Sequence, residues 1–320
     1  MGIIFRIIVA FSFFITVLVG HSNAQNFLSI PQRPSSFPLS PVSYTIPGKV
    51  KAYGWISFQP LLPQNISNFV LVAPGIAGLT ETGTLVPWKD SKSAPPHDLS
   101  NVIQVVSGGN HGLALLSDGT VKAWGDDGFG QSTVPAGLAD VVQVAAGFNH
   151  SVALKKDGTV VSWGSRRVAV PRNIANIVQV SAGYYYTVAL KMDGTVVAWG
   201  SQPAGLGRFP KPTKVPKGLN NVVQLSAGAD HVLALKADGT VVGWGKNNYD
   251  QCRIPDNIQH IVQVCAGGNS SYFLKDDGTF RGNGKSSSIV PDDSKFYLQI
   301  SCNGYGFFGS DGALIYRDRP

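Results

Sequence analysis

The chain has 320 residues, of which 43% are hydrophobic and only 14% charged, with 37 glycines, 20 prolines and a formal net charge of +7. So few charges and so many turn formers exclude a long solvated helical array and favour an all-β fold of short strands and tight turns. The basic residues form no run of five or more, which excludes a nucleic-acid-binding tail and leaves the positive excess to favour an anionic partner.

In chain order, the first element is a secretory signal peptide over residues 1–24. Arg6 precedes an uncharged, largely apolar run from Ile7 to Val19, and the small residues Ser22 and Ala24 supply a cleavage site. The run is shorter than the ~20 residues needed to cross a bilayer. No later apolar run approaches that length, so the expectation is a secreted chain without a membrane span, starting near Gln25 once processed. Residues 25–47 carry Pro31, Pro34, Pro38, Pro41 and Pro47 among several serines and read as an extended leader.

Residues 48–320 are organised by one repeated unit. It is clearest as Val141-Val-Gln-Val-Ala-Ala-Gly-Phe-Asn-His-Ser-Val-Ala-Leu-Lys-Lys-Asp-Gly-Thr-Val-Val-Ser-Trp-Gly164 and recurs at 102–125, 177–200, 222–245 and 261–284, with degenerate copies at 69–89 and 297–317. The turn glycines Gly83, Gly119, Gly158, Gly194, Gly239, Gly278 and Gly312 mark these copies at spacings of 34 to 45 residues. Each copy holds β-branched and apolar runs punctuated by glycine, which predicts four short strands: a (141–144), b (152–155), c (159–163) and d (168–170). The Asp-Gly between b and c suits a tight hairpin, since glycine adopts positive φ freely, and Pro171 suits d as an edge strand. A c-like segment, Gly48 to Gly54, and a d-like one, Pro60 to Pro63, precede the first a strand, while the final copy reads as a, b and c with Asp311 to Tyr316 supplying its hairpin and c strand. The expected fold is a seven-bladed β-propeller in which N-terminal strands close the last blade.

The shared pattern, Val-x-Gln-Val-x-Ala-Gly-x-x-His-x-x-Ala-Leu followed by Asp-Gly-x-Val-x-x-Trp-Gly, resembles the regulator of chromosome condensation repeat family over about 48–316. The short period is more similar to its secreted type, such as the bacterial β-lactamase-inhibitory propeller, than to the longer-bladed nuclear exchange factor for the small GTPase Ran. What the resemblance implies is a seven-bladed propeller that works by binding proteins.

Residues that recur with the fold are expected to serve the fold. His111, His150 and His231 share a position with Tyr186 and Ser270 and are read as turn-stabilising groups, not as metal ligands or acid-base catalysts. Trp124, Trp163, Trp199 and Trp244 are expected to pack between blades, and Gln104, Gln143, Gln179, Gln224, Gln263 and Gln299 to satisfy inner-strand backbone groups. Asp126-Asp127 and Asp276-Asp277 are read as solvated carboxylates. There is no nucleophile elbow, phosphate loop, Cys-x-x-Cys or His-Glu-x-x-His, so no enzyme activity, catalytic residue, metal site or cofactor is expected. The three cysteines cannot all pair within one chain; Cys265 and Cys302 fall at adjacent positions of equivalent segments, which leaves a bridge between neighbouring repeats open. Asn65, Asn149 and Asn269 begin N-glycosylation sequons.

Function is expected where the repeats differ. If strand a runs upward, the Ala-Gly turn and the loop after Trp-Gly both lie on the upper face, and the repetitive Asp-Gly turns lie below. The candidate partner-binding residues on the upper face are Phe148, Tyr184, Tyr185 and Tyr305 in the turns, with Phe129, Arg166, Arg167, Arg208, Phe209 and Tyr249 in the loops after strand c. Tyrosine and arginine gather at the centres of protein interfaces. The expected activity is therefore binding, by a monomeric secreted propeller, of an extracellular protein with an acidic surface. The alternative is a carbohydrate-binding or matrix module, because exposed aromatics also stack on sugars.

Overall fold

A computed structural model of the protein describes residues 51–55, 69–73, 77–80, 82–87, 94–200, 214–256, 258–285, 295–302 and 312–318. The signal peptide, the leader, the d-like segment 60–63 and Asn65 lie outside these residues. Among those described, the fold is all-β and consists of three-stranded antiparallel sheets, seven in number. Sheet 1 contains Phe69–Ala73, Ala77–Thr80 and Leu85–Pro87. Sheet 2 contains Val102–Ser107, His111–Leu116 and Val121–Gly125. Sheet 3 contains Val141–Ala146, His150–Lys155 and Val160–Gly164. Sheet 4 contains Ile177–Ala182, Tyr186–Lys191 and Val196–Gly200. Sheet 5 contains Val222–Ala227, His231–Lys236 and Val241–Gly245. Sheet 6 contains Ile261–Ala266, Ser270–Lys275 and Phe280–Gly284. Sheet 7 contains Lys295–Cys302, Gly312–Asp318 and the N-terminal strand Lys51–Trp55. In each, the first two strands are a and b, and the last is c.

Two expectations are corrected. The fourth strand does not form in the copy where it was expected: residues Arg166–Val168 make a 3-10 helix, and no strand comes between it and Ile177. Pro171 lacks a ladder donor, and the Val168 carbonyl is engaged by Ser162 Oγ at 3.2 Å and Trp199 Nε1 at 3.1 Å. The second correction concerns the last copy. Gly312–Asp318 is strand b and not the hairpin and c strand, because Gln299 pairs with Ile315 as Gln143 pairs with Leu154. Strand c of this sheet comes from the N-terminus, where Trp55 opposite Gly312 takes the register of Trp163 opposite Ser151.

The core lies between sheets and not within them. Among the described residues, the hydrophobic clusters join the b and c residues of one sheet to the a residues of the next, and four of them include the tryptophan of that next sheet. Leu113, Leu115 and Val121 of sheet 2 meet Val141, Val144 and Trp163 of sheet 3, and Val152, Leu154 and Val160 of sheet 3 meet Ile177, Val180 and Trp199 of sheet 4. Being covered on both faces, the b strands lose the alternation of a one-sided sheet and read as continuous apolar runs such as His231–Lys236, buried through Leu235. The tryptophans pack between sheets as expected. Strand a carries a β-bulge one residue before its glutamine in every sheet that has one, as between Val141 and Gln143, and a bulge bends the strand and re-aims the side chains beyond it. In the hairpins the glycine alone has positive φ, such as 82° at Gly158. The aspartate instead accepts the amide of the following threonine, 2.9 Å from Thr159 N to Asp157 Oδ1.

Candidate functional site

The recurring polar residues join neighbouring sheets. Five of the repeat glutamines treat the a strand of the next sheet as a ladder partner, the side chain of Gln299 lying outside the described residues: Gln143 Nε2 donates to Val180 O at 3.0 Å while its Oε1 accepts from Val180 N at 2.9 Å. Gln104 does the same to Val144, Gln179 to Leu225, Gln224 to Val264 and Gln263 to Ile300. The histidines act one layer higher. His111 Nε2 meets Ser151 Oγ at 3.0 Å, His150 Nε2 meets Thr187 Oγ1 at 3.1 Å and His231 Nε2 meets Ser271 Oγ at 2.9 Å. Tyr186 fills the same role by donating to the carbonyls of Gly228 and His231. Burial holds the His150 and His231 rings down to about 3 and His111 to about 4, the last relieved by Asp126 and Asp127. All three are neutral at physiological pH. The glycine before each turn is required by the ring above it, since a Cβ on Gly147 would overlap the His150 imidazole.

On the upper face the turns are tied in a belt running from sheet to sheet. Gly109 N donates to Gly147 O, Phe148 N to Tyr184 O, Tyr184 N to Ala229 O and Ala229 N to Gly268 O, at 3.0 to 3.3 Å. At the junction of sheets 3 and 4 this belt brings three candidates together. Phe148 stacks on Tyr184 with ring centroids 4.2 Å apart, Tyr185 sits 4.9 Å from Tyr184, and Tyr185 meets Phe148 edge-on at 6.0 Å. Burial, then Tyr185 and Asp230, pushes the Tyr184 hydroxyl up to about 12, so it stays protonated. The 3-10 helix containing Arg166 and Arg167 packs against the b and c strands of sheet 4. Its preceding residue, Ser165, donates to Asn149 O at 2.8 Å, and Arg166 is exposed.

Phe129 and Tyr249 occupy equivalent loop apices after strand c of sheets 2 and 5, at 58% and 44% exposure. Both loops are fixed by a glutamine that sequence reasoning missed. Gln131, fully buried, accepts the Phe129 amide at 2.8 Å, and its carbonyl receives Ser151 Oγ and Trp163 Nε1. Gln251 accepts the Tyr249 amide at 2.9 Å and receives Ser271 Oγ. The available signal was a glutamine seven residues after Trp124 and again after Trp244. Asp126 and Asp127 are loop fasteners: Asp126 accepts Gln131 Nε2 at 2.8 Å, and Asp127 accepts Ser132 N and Thr133 Oγ1. Lys285 lies over the Tyr249 ring at 5.6 Å.

Arg208, Phe209 and Tyr305 lie outside the described residues. Asn149 and Asn269 are half-buried at the turns, and the hydroxyl residues of their sequons, Ser151 and Ser271, are buried. Cys265 and Cys302 form a disulfide between the a strands of sheets 6 and 7, with Cα atoms 5.8 Å apart. Cys252 is a free, half-buried thiol, pushed up to about 12 by burial.

These features define an all-β protein of repeated antiparallel sheets. Its repeated polar groups are spent on joining sheet to sheet, and its unrepeated side chains collect at one set of strand ends. The chain carries the regulator of chromosome condensation (RCC1) repeat, whose family model matches residues 102–131, 141–165, 177–205 and 222–251. Its structure is similar to the ectodomain of the Physcomitrella patens receptor kinase CR4, with TM-score 0.60 and 21% identity over 70% of this chain and 62% of that one. The protein thus spans less than two thirds of that ectodomain. Prp20p from Saccharomyces cerevisiae, described with its binding to Gsp1p and histones, has TM-score 0.52 and 18% identity over 87% of this chain and 93% of that one. Human WBSCR16 has TM-score 0.51 and 18% identity over 79% and 83%. At these identities the likeness concerns the fold. No curated protein matches the chain in sequence.

Proposed function

We propose that the protein is a secreted, non-enzymatic, monomeric seven-bladed propeller that binds an extracellular protein through its upper face. The observation that carries this reading is the pair Phe129 and Tyr249, the exposed large hydrophobics among the described residues. Each is presented on a loop anchored by a buried glutamine. Aromatic surface held rigidly in water loses little conformational freedom when a partner covers it. The closed ring is supported by sheet 7, which takes its c strand from the N-terminus and its other two from the C-terminus. Secretion is supported by the signal sequence and by the Cys265–Cys302 disulfide, which persists in oxidising compartments. A binding and not a catalytic role agrees with histidines that are buried, neutral and committed to neighbouring sheets. Prp20p, of the same fold, is described as binding proteins.

The test is affinity capture from native extracellular fluid with the processed protein as bait, beside a variant carrying Phe129→Ser, Arg166→Glu, Arg167→Glu, Tyr184→Ala, Tyr185→Ala and Tyr249→Ser. A protein retained by the wild type and lost by the variant supports the reading. Capture of glycans alone moves the assignment to a carbohydrate-binding module, and identical capture by both baits refutes an upper-face site.

A further inference from the structure

The net positive charge of this protein is accounted for by one stretch of the chain. Residues 158–229 contain eight lysines and arginines against the single acid Asp193, a net +7 that equals the net charge of all 320 residues. The rest of the chain is balanced. Asp193 sits in the lower hairpin of sheet 4, where Thr195 caps it, so no acid in this stretch belongs to an upper turn or loop.

The same stretch frames the aromatic trio. Arg166 and Arg167 form the 3-10 helix wedged at the junction of sheets 3 and 4, and its Val168 carbonyl accepts Trp199 Nε1 of sheet 4. Phe148, Tyr184 and Tyr185 cover the inner end of that junction, where Phe148 N bonds Tyr184 O. The corresponding loop one junction earlier carries the acids Asp126 and Asp127, and the loop after sheet 5 pairs Lys246 with Asp230 at 3.9 Å. The junction of sheets 3 and 4 therefore combines clustered aromatic rings with an arginine pair, and the acid beside Tyr184, Asp230, is paired with Lys246.

The geometry points to this junction as the docking site for an acidic protein segment in which carboxylates flank an apolar or aromatic side chain. The inference rests on the proposed upper-face function and specifies its partner chemistry. The exposed Arg166 supplies forked, charge-assisted hydrogen bonds to a carboxylate, and Arg167 adds a second positive charge to the sequence there. The trio supplies a rigid ring surface for the central side chain. The surplus charge accelerates encounter at low salt and loses its effect as salt screens it.

The test is selection of random dodecapeptides displayed on phage against the processed wild-type protein, followed by affinity measurement of the enriched peptides. Three variants, each checked by thermal melting, serve as comparison: Arg166→Glu/Arg167→Glu, Tyr184→Ala/Tyr185→Ala, and the charge-matched lower-face pair Lys156→Glu/Lys217→Glu. The expected peptides are rich in aspartate and glutamate around an apolar residue. Their binding falls about tenfold or more in each upper-face variant, falls with added salt, and is unchanged in the lower-face pair. The arginine pair keeps the test decisive if the tyrosine pair lowers stability. Peptides without acidic bias, weakened only by Phe129→Ser or Tyr249→Ser, overturn this sector while leaving the upper-face function standing. Peptides insensitive to every upper-face change overturn both. Binding of heparin with the same arginine dependence and no enriched peptide overturns the protein partner in favour of a sulfated glycan.

Discussion

Acidification from about pH 8 to about pH 5 acts on the three inter-sheet histidines before it acts on the carboxylates. His111, His150 and His231 have an ordinary value of 6.5 and are held near 4, 3 and 3 in the fold, chiefly by burial. Because the folded values lie below the unfolded one, the unfolded chain binds more protons across that interval. The stability is fully present above 6.5 and falls as the pH drops toward 4 and 3. At pH 5 each ring accounts for about 2 kcal/mol of lost stability, and the three together for about 6 kcal/mol. The hairpin aspartates work in a lower window. Asp157 and Asp193 are depressed below 3.8 by their threonines, so their contribution is present above that value and lost below it. The repeat itself supplies the control: sheet 4 uses Tyr186 where sheet 3 uses His150, and bonds the next sheet through its hydroxyl. His150→Tyr is expected to remove about a third of the acid-induced loss. Urea unfolding followed by tryptophan fluorescence at about pH 8, 6.5 and 5 measures this directly. A wild-type stability independent of pH in that range, or a variant with an unchanged pH slope, would refute the inter-sheet role of neutral imidazole.

Gln143→Met leaves the buried Val180 amide and carbonyl without their side-chain partner, and should cost about 3 kcal/mol, or about 6–12 °C in thermal melting. The same change at half-buried Gln104 should cost less. Gly147→Ala drives a methyl into the His150 ring and is expected to lose about 2–3 kcal/mol in the same assay. Reducing Cys265–Cys302, which closes a separation of 37 residues, should lower stability by about 3–4 kcal/mol in the chain-entropy account; unchanged melting in reductant would show that the two sheets hold without it. Cys252, whose thiol is raised to about 12, should react with a soluble disulfide reagent far more slowly in the native protein than in urea.

The repeat is legible because each copy states the same local conflict and solves it the same way. Asp-Gly-Thr demands a hairpin with a left-handed glycine, and the alternation of glycine with β-branched runs demands short strands. The roles of glutamine, histidine and tryptophan follow from their recurrence alone. The fourth strand is not legible, because a short apolar run before proline resembles an edge strand, and only tertiary packing shows that its carbonyls serve indole and hydroxyl donors. In the last copy Asp311-Gly312 imitates the hairpin signal. The better guide there is Tyr316-Arg317-Asp318, which matches Lys155-Lys156-Asp157 at the end of strand b. Five residues before the a strands, Asn101, Asp140, Asn176, Asn221 and His260, adopt φ of 56° to 60°. The repeated asparagine and aspartate signal this left-handed turn. On the upper face, the sequence places Phe148, Tyr184 and Tyr185 on neighbouring turns, but their stacking depends on the sheet-to-sheet spacing, which no local pattern encodes.

The most direct test of the account is amide hydrogen exchange of the protein alone and bound to its captured partner. Protection is expected to be confined to the upper turns and loops, centred on 147–149, 164–168 and 183–185, with the hairpins at 156–158, 192–194 and 237–239 unchanged. Protection centred on those lower hairpins, with the upper turns unaffected, would contradict it.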